Sequence, residues 1–122
     1  MAAVSRTPTP PDREGFRLVR AGGELDIATL PPLESALSHA LSSRTPPYVV
    51  VDLCAVTFAD CATVRVLLHA RAKAHAERGW LGLACAPRPI GRLLRTLDLM
   101  EVLPPHASVD EAIRACPALA EG

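Results

Sequence analysis

The chain has 122 residues, of which 49% are hydrophobic and 3% aromatic, and its formal net charge is zero. This length and composition predict one domain with an aliphatic core. A neutral chain lacks the surplus of Lys and Arg that nucleic-acid binding needs, and no apolar run approaches the roughly 20 residues of a membrane span. Since no signal-peptide pattern opens the sequence, we expect a cytoplasmic protein that inserts into no membrane.

The first part of the chain combines a proline-rich segment with an alternating one. Residues 1–13 lack apolar periodicity and predict a disordered lead-in to a domain at 14–118, with a flexible end at 119–122. Residues 16–21 alternate apolar and basic side chains, which predicts a half-exposed strand. The two glycines at 22–23 then break the alternation.

The middle of the chain predicts a helix, a buried strand and a second helix. Leucines recur at helical spacing over 29–42, and Thr29 is the candidate N-cap. Residues 48–55 are apolar on both faces, as in a central strand covered on two sides. After a short loop, a helix is predicted over 61–78, with Gly79 as its C′ residue.

The last part of the chain continues the alternation of strands and helices. It predicts a strand at 80–86, a helix at 87–99, a short apolar step at 102–103 and a capped helix at 109–116. This order predicts a single α/β domain with a mostly parallel sheet of four to five strands and about four helices packed on it.

The cysteines and histidines form no recognisable ligand or catalytic motif. The four cysteines stand outside any CxxC pair and should be free thiols in a reducing compartment. Phosphate-binding glycine loops and nucleophile elbows are absent from the sequence. We therefore predict no metal, no cofactor and no enzyme activity. The residues concerned are Cys54, Cys61, Cys85, Cys116, His39, His69, His75 and His106.

Several segments, in this order and at this spacing, resemble the STAS domain of bacterial anti-sigma factor antagonists and of sulphate-transporter tails. They are the GELD at 23–26, the VVDL at 50–53, the VTFAD at 56–60 and the apolar 66–68. The resemblance covers roughly residues 16–115. It implies the STAS fold and a role in regulated protein binding.

The resemblance also places this chain's residues on the antagonists' switch. In those proteins Asp-Ser-Ser-Gly opens the second helix, and an anti-sigma factor of kinase fold phosphorylates the first Ser. Here the four positions are Asp60, Cys61, Ala62 and Thr63. A thiol is no substrate for a Ser kinase, so the resemblance implies docking to such a partner without the usual switch. The implied partner-binding residues are Glu24, Asp26, Asp60, Cys61, Ala62, Thr63 and Val64.

Several residue roles stay open from the sequence. Thr63 is an alternative phosphoacceptor or a hydroxyl bonded to the backbone. Asp60 is a helix cap, a recognition residue or both. Glu24 and Asp26 contact the partner or shape a turn. Asp98 stands where the family usually has Gly, and Asp tolerates the left-handed conformation that the turn needs.

Two other functions are compatible with the same sequence. One is a structural STAS subunit of a larger assembly, such as a sensory scaffold or a lipid-transport complex. The other is a thiol-based redox sensor that uses Cys61, because a helix start favours a thiolate while the adjacent Asp60 opposes it.

Overall fold

The computed structural model describes residues 4–5 and 15–117. Within these residues five strands and four helices are present, and no helix is long and apolar enough to cross a membrane. The strands are β1 (Val4–Ser5), β2 (Arg17–Leu25), β3 (Tyr48–Ala59), β4 (Trp80–Ala84) and β5 (Pro105–His106); the helices are α1 (Leu30–Ser42), α2 (Cys61–Ala76), α3 (Arg88–Thr96) and α4 (Val109–Arg114).

The strands form one sheet in the order β1-β2-β3-β4-β5. Strands β2 to β5 pair in parallel, and β1 adds an antiparallel edge to β2. A helix connects each of the pairs β2–β3, β3–β4 and β4–β5, which is how parallel neighbours are joined. The predicted α/β fold with a mostly parallel sheet and four helices is confirmed.

Helices cover the sheet unequally on its two faces. On β3, Val49, Val51 and Leu53 belong to the larger core cluster, to which α1, α2 and α3 also contribute. Val50 belongs to a smaller cluster on the opposite face, to which α4 contributes Ile113. Side chains alternate between the faces of a strand, so among the described helices α4 alone packs on this second face.

Strands β2 and β3 are longer than predicted because the glycine pair does not end β2. The pairing with β3 shifts register between Arg20 and Gly22 and again between Gly23 and Glu24. Residues 20–22 of β2 face 52–55 of β3, and residues 23–24 face 56–58, so each shift is a bulge whose extra residue lies in β3. Gly23 adopts a φ of 74°, which glycine tolerates within the continuing β2. Strand β3 in turn runs directly into Asp60, so the loop predicted between β3 and α2 is wrong.

Strand β1 lies in the segment predicted to be disordered. Val4 pairs with Ala21 and Ser5 with Arg20 along the edge of β2. A strand of two residues leaves no alternation to detect, so the sequence did not predict it. The rest of the lead-in and the predicted flexible end at 119–122 lie outside the described residues.

The left-handed residue that ends α2 lies one position before the predicted one. Arg78, rather than Gly79, adopts the left-handed conformation, with a φ of 66°. The Gly79 amide donates to the Ala74 carbonyl at 2.8 Å and the Arg78 amide to the His75 carbonyl at 3.0 Å, a Schellman motif. A Cβ on Gly79 would overlap the Pro47 carbonyl oxygen, so close approach requires this glycine.

The expectation for Asp98 is confirmed. Its φ is 61°, and the next amide, that of Leu99, donates to the Leu94 carbonyl at 2.7 Å. The turn after α3 therefore forms with Asp in the left-handed region, at a modest cost relative to Gly.

Candidate functional site

The carboxyl ends of β2 and β3 place the predicted site residues at one edge of the sheet. Glu24 pairs with Phe58 and Leu25 with Ala59. The turn after β2 and the start of α2 follow these pairs directly. Residues 24–26 therefore lie at the same end of the sheet as Asp60.

Asp60 is the N-cap of α2. Its backbone is extended, with φ −116° and ψ −175°, and its Oδ1 accepts from the Thr63 amide at 3.2 Å. The carboxylate therefore satisfies a first-turn amide and complements the positive end of the helix dipole. Capping is observed for this residue; a recognition role remains a prediction.

Thr63 is buried and cannot serve as an alternative phosphoacceptor. It has no exposed surface, and its hydroxyl donates to the Leu25 carbonyl at 3.1 Å. Val64 is only 1% exposed and packs in the larger core cluster. These two side chains join α2 to the sheet, so the prediction that they contact a partner gains no support from their position.

Asp26 shapes the turn between β2 and α1. Its Oδ1 accepts from the amides of Ala28 at 2.9 Å and Thr29 at 3.1 Å, an Asx turn. Thr29 is the N-cap residue of α1, as predicted, but its side chain makes no capping bond; its hydroxyl donates to the Glu24 carbonyl at 2.7 Å instead. The carboxylate of Asp26 is half-buried, whereas Glu24 is exposed.

The remaining predicted residues form an accessible surface. Cys61 is exposed at the first position of α2 and Ala62 is half-buried. Sequence reasoning missed Ile27, which is 79% exposed in the turn beside them. A large apolar residue between turn-forming residues was the available signal. We call this surface the helix-start face and define it by Glu24, Ile27, Asp60, Cys61 and Ala62.

A cavity of about 410 Å³ lies beside this edge, between the end of β3 and α3. Its wall includes the ring of Phe58, which is 48% exposed, together with Arg88 and Arg92. Phe58 belongs to the VTFAD segment at 56–60. The sequence carried no prediction about the exposure of its ring. An aromatic ring flanked by two guanidinium groups suits an apolar partner side chain with an acidic neighbour.

The family of the chain follows from comparison with known proteins. The family model described as "Mlab, STAS domain" matches residues 14–104, so the chain belongs to the STAS-domain family. A search of the curated proteins found no match.

Solved structures share this fold. An anti-sigma factor antagonist from Mycobacterium paratuberculosis is 28% identical; the match covers 86% of this chain and 88% of that chain, with a TM-score of 0.76. An anti-sigma-factor antagonist (STAS) domain protein from Planctomyces limnophilus is 17% identical over 86% and 93% of the two chains, with a TM-score of 0.77. The STAS domain of a SulP transporter from Vibrio cholerae is 17% identical over 93% and 86%, with a TM-score of 0.64.

Proposed function

We propose that this STAS domain is a non-catalytic regulatory module of the anti-sigma factor antagonist kind. It docks an anti-sigma factor of kinase fold in the bacterial cytoplasm through the helix-start face. The 28% identity to an antagonist over most of both chains supports this assignment. The observation that carries it is the exposure of Cys61 at the first position of α2, beside the capping Asp60.

The same surface lacks the group that a Ser kinase needs. Between residues 60 and 63 the only hydroxyl belongs to Thr63, which is fully buried and bonded to the Leu25 carbonyl. A phosphate there would need the first turn of α2 to leave the sheet. Docking in this protein is therefore independent of phosphorylation at the helix start.

Apolar contact at the helix-start face supplies much of the affinity in this proposal. Ile27 is the most exposed large apolar side chain of the described residues, and burying it in a partner removes that surface from water. Truncated or charged anchors typically weaken complexes by 1 kcal/mol or more, about fivefold.

The test measures affinity for a candidate anti-sigma factor by calorimetry. Ile27→Asp is expected to weaken binding at least about tenfold, because it buries a charge in the contact. The matched control is Leu97→Asp, an apolar residue that is 42% exposed in the turn after α3. Equal loss in both variants, or no loss in Ile27→Asp, would count against docking at this face.

Asp60→Asn separates the two roles of the N-cap residue. Asn caps a helix about as well as Asp, so the free energy of unfolding should hold while the carboxylate charge is removed. Weaker binding by this variant at unchanged stability assigns recognition to Asp60. Unchanged binding by this variant would show that Asp60 only caps the helix and does not recognise the partner.

A second candidate function is a subunit of a larger assembly. The family model carries the description "Mlab, STAS domain", and one structural neighbour is the STAS domain of a SulP transporter. Purification of the tagged chain from its own cells distinguishes the two functions. A stable membrane complex favours the assembly, and an anti-sigma factor favours the antagonist.

A further inference from the structure

A second group of reactive side chains lies in the middle of β3 and just after the end of β4, away from the helix-start face. Asp52 and Cys54 lie two residues apart on β3, and Cys85 is the first residue after β4. One carboxylate oxygen and the two sulfur atoms all lie within 4.8 Å of one another. Proteins use such carboxylate and thiolate groups as zinc ligands.

The parallel register brings these three residues together. Asp52 pairs with Ala84, so the next residue, Cys85, lies beside the β3 residues that follow Asp52. Side chains two apart share a strand face, which places Asp52 and Cys54 on the same face as Val50; of the helices that the structure describes, α4 covers this face. Cys54 is exposed there, so the group is open to solvent.

The backbone at Cys85 is held in an uncommon conformation. Its φ is 63°, in the left-handed region that a residue with a Cβ seldom adopts. The Cys85 amide donates to the His106 carbonyl of β5 at 2.7 Å, which fixes the turn. The Cys85 sulfur lies within 4.8 Å of the Cys54 sulfur in this conformation.

The carboxylate of Asp52 is positioned by neighbours of its own. Its Oδ1 accepts from the Cys54 amide at 3.0 Å, and its Oδ2 lies 3.6 Å from Nε of Arg20. Hydrogen bonds and ion pairs from residues that do not themselves bind the metal orient the ligands in proteins. Two thiolates, one carboxylate and a divalent cation sum to one negative charge, which the Arg20 guanidinium balances.

We propose that Asp52, Cys54 and Cys85 bind a soft divalent cation of the zinc type, with water in the fourth position. Tetrahedral zinc places sulfur at about 2.3 Å and oxygen at about 2.1 Å, so its ligand atoms lie about 3.5–3.8 Å apart. Closing the present group onto an ion takes movements on the order of 1 Å. Both thiols lose their protons to solvent on binding, and no electron is transferred.

This site is independent of the proposed docking function. The ion ties the middle of β3 to the turn that leads into α3. Binding only to the folded state raises the midpoint of thermal unfolding in a concentration-dependent way. The redox hypothesis for Cys61 receives no such support, because the two thiols that lie close together are those of Cys54 and Cys85.

The test uses the full chain, freed of metal by a chelator and kept reduced by a phosphine, with Co²⁺ and Zn²⁺ as probes. We expect one Co²⁺ per chain with a thiolate-to-cobalt charge-transfer band, displacement by Zn²⁺, and about two protons released per ion at neutral pH. Cys54→Ala and Cys85→Ala should weaken binding at least about 100-fold, and Arg20→Gln about tenfold. Cys61→Ala, which removes an exposed thiol outside the group, is the matched control.

Absence of the charge-transfer band at saturating Co²⁺ would overturn the proposal, as would equal loss of affinity in Cys61→Ala and Cys54→Ala. Thermal unfolding in chelator shows that each variant is folded. If Cys85→Ala fails to fold, the Co²⁺ affinities of Cys54→Ala and Arg20→Gln still test the proposal. Both residues are exposed, so their substitution should leave the fold intact. Failure of these measurements leaves the binding tests at the helix-start face unaffected.

Discussion

Thr63 is the residue that most directly joins the candidate site to the fold. Its hydroxyl connects the first turn of α2 to the end of β2 through the Leu25 carbonyl, 38 positions earlier in the chain. The bond is fully buried, so its loss leaves an acceptor that water cannot readily reach. The orientation of the helix-start face therefore depends on this contact.

We predict that Thr63→Val lowers the free energy of unfolding by about 1–3 kcal/mol, because it keeps the shape of the side chain and removes the donor. Urea denaturation followed by circular dichroism measures the change. Thr57→Val makes the same substitution at an exposed position of β3 and should stay within about 0.5 kcal/mol of the wild type. Similar losses in the two variants would show that the buried bond is not the cause.

The sequence predicted the site residues only in part, for a geometrical reason. Two positions along a helix differ by about 200° around its axis, so Cys61 faces solvent while Thr63 faces the sheet. A motif places residues along the chain but does not fix the rotation of the helix against the sheet. The contact between Cys54 and Cys85 was missed because it depends on the register of β3 and β4.

At the scale of elements, the junction between α2 and β4 shows how two adjacent residues meet different demands. Arg78 takes the left-handed conformation that ends the helix, although Gly would adopt it at lower cost. Gly79 lies against the Pro47 carbonyl, which also accepts the Trp80 amide at 2.8 Å. The close contact thus fixes where β4 begins beside β3.

We predict opposite outcomes for substitutions at these two positions. Gly79→Ala should lower the free energy of unfolding by about 1–3 kcal/mol or more, since backbone atoms must move to admit the methyl group. Arg78→Gly should leave stability unchanged or raise it by up to about 1 kcal/mol. Thermal and urea unfolding measure the change in stability of both variants. A Gly79→Ala variant as stable as the wild type would show that the close approach of the Pro47 carbonyl does not require glycine at position 79.

Element order was predictable because the helices show apolar residues at helical spacing, whereas β3 and β4 contain short apolar runs bounded by turn residues. Element ends were less so. The glycines at 22 and 23 predict the end of a strand, but β2 continues to Leu25, and the opposite strand β3 carries two bulges beside it. Whether a glycine ends a strand or bends it depends on the neighbouring strand, which local sequence does not specify.

At the scale of the whole molecule, the sheet separates two surfaces with different chemistry. The helix-start face stands at the carboxyl ends of β2 and β3, where the turn after β2 meets the start of α2. The proposed cation site lies on the sheet face that α4 covers only in part. Partner docking and cation binding can therefore be measured, and altered, independently of each other.

The parallel α/β architecture was predictable from the alternation of strands and helices, and the resemblance to STAS domains agrees with the family match over residues 14–104. The antiparallel β1 was not predictable, because a short edge strand is selected by the exposed groups of β2 rather than by its own pattern. Local pattern thus specifies the central fold, and long-range pairing specifies its edge.

The central claim is that the partner docks at Cys61 and that this position cannot be switched off by a kinase. The most direct measurement mixes the chain with its anti-sigma factor of kinase fold and Mg-ATP, then follows phosphate by mass spectrometry and the complex by size-exclusion chromatography. The wild-type complex should persist with no phosphate at residues 60–63. Cys61→Ser, which supplies an exposed hydroxyl, should gain phosphate and release the partner, because about 1.5–2 negative charges enter the contact. Phosphate on the wild-type residues 60–63, or a fully phosphorylated Cys61→Ser complex that stays intact, would contradict the account.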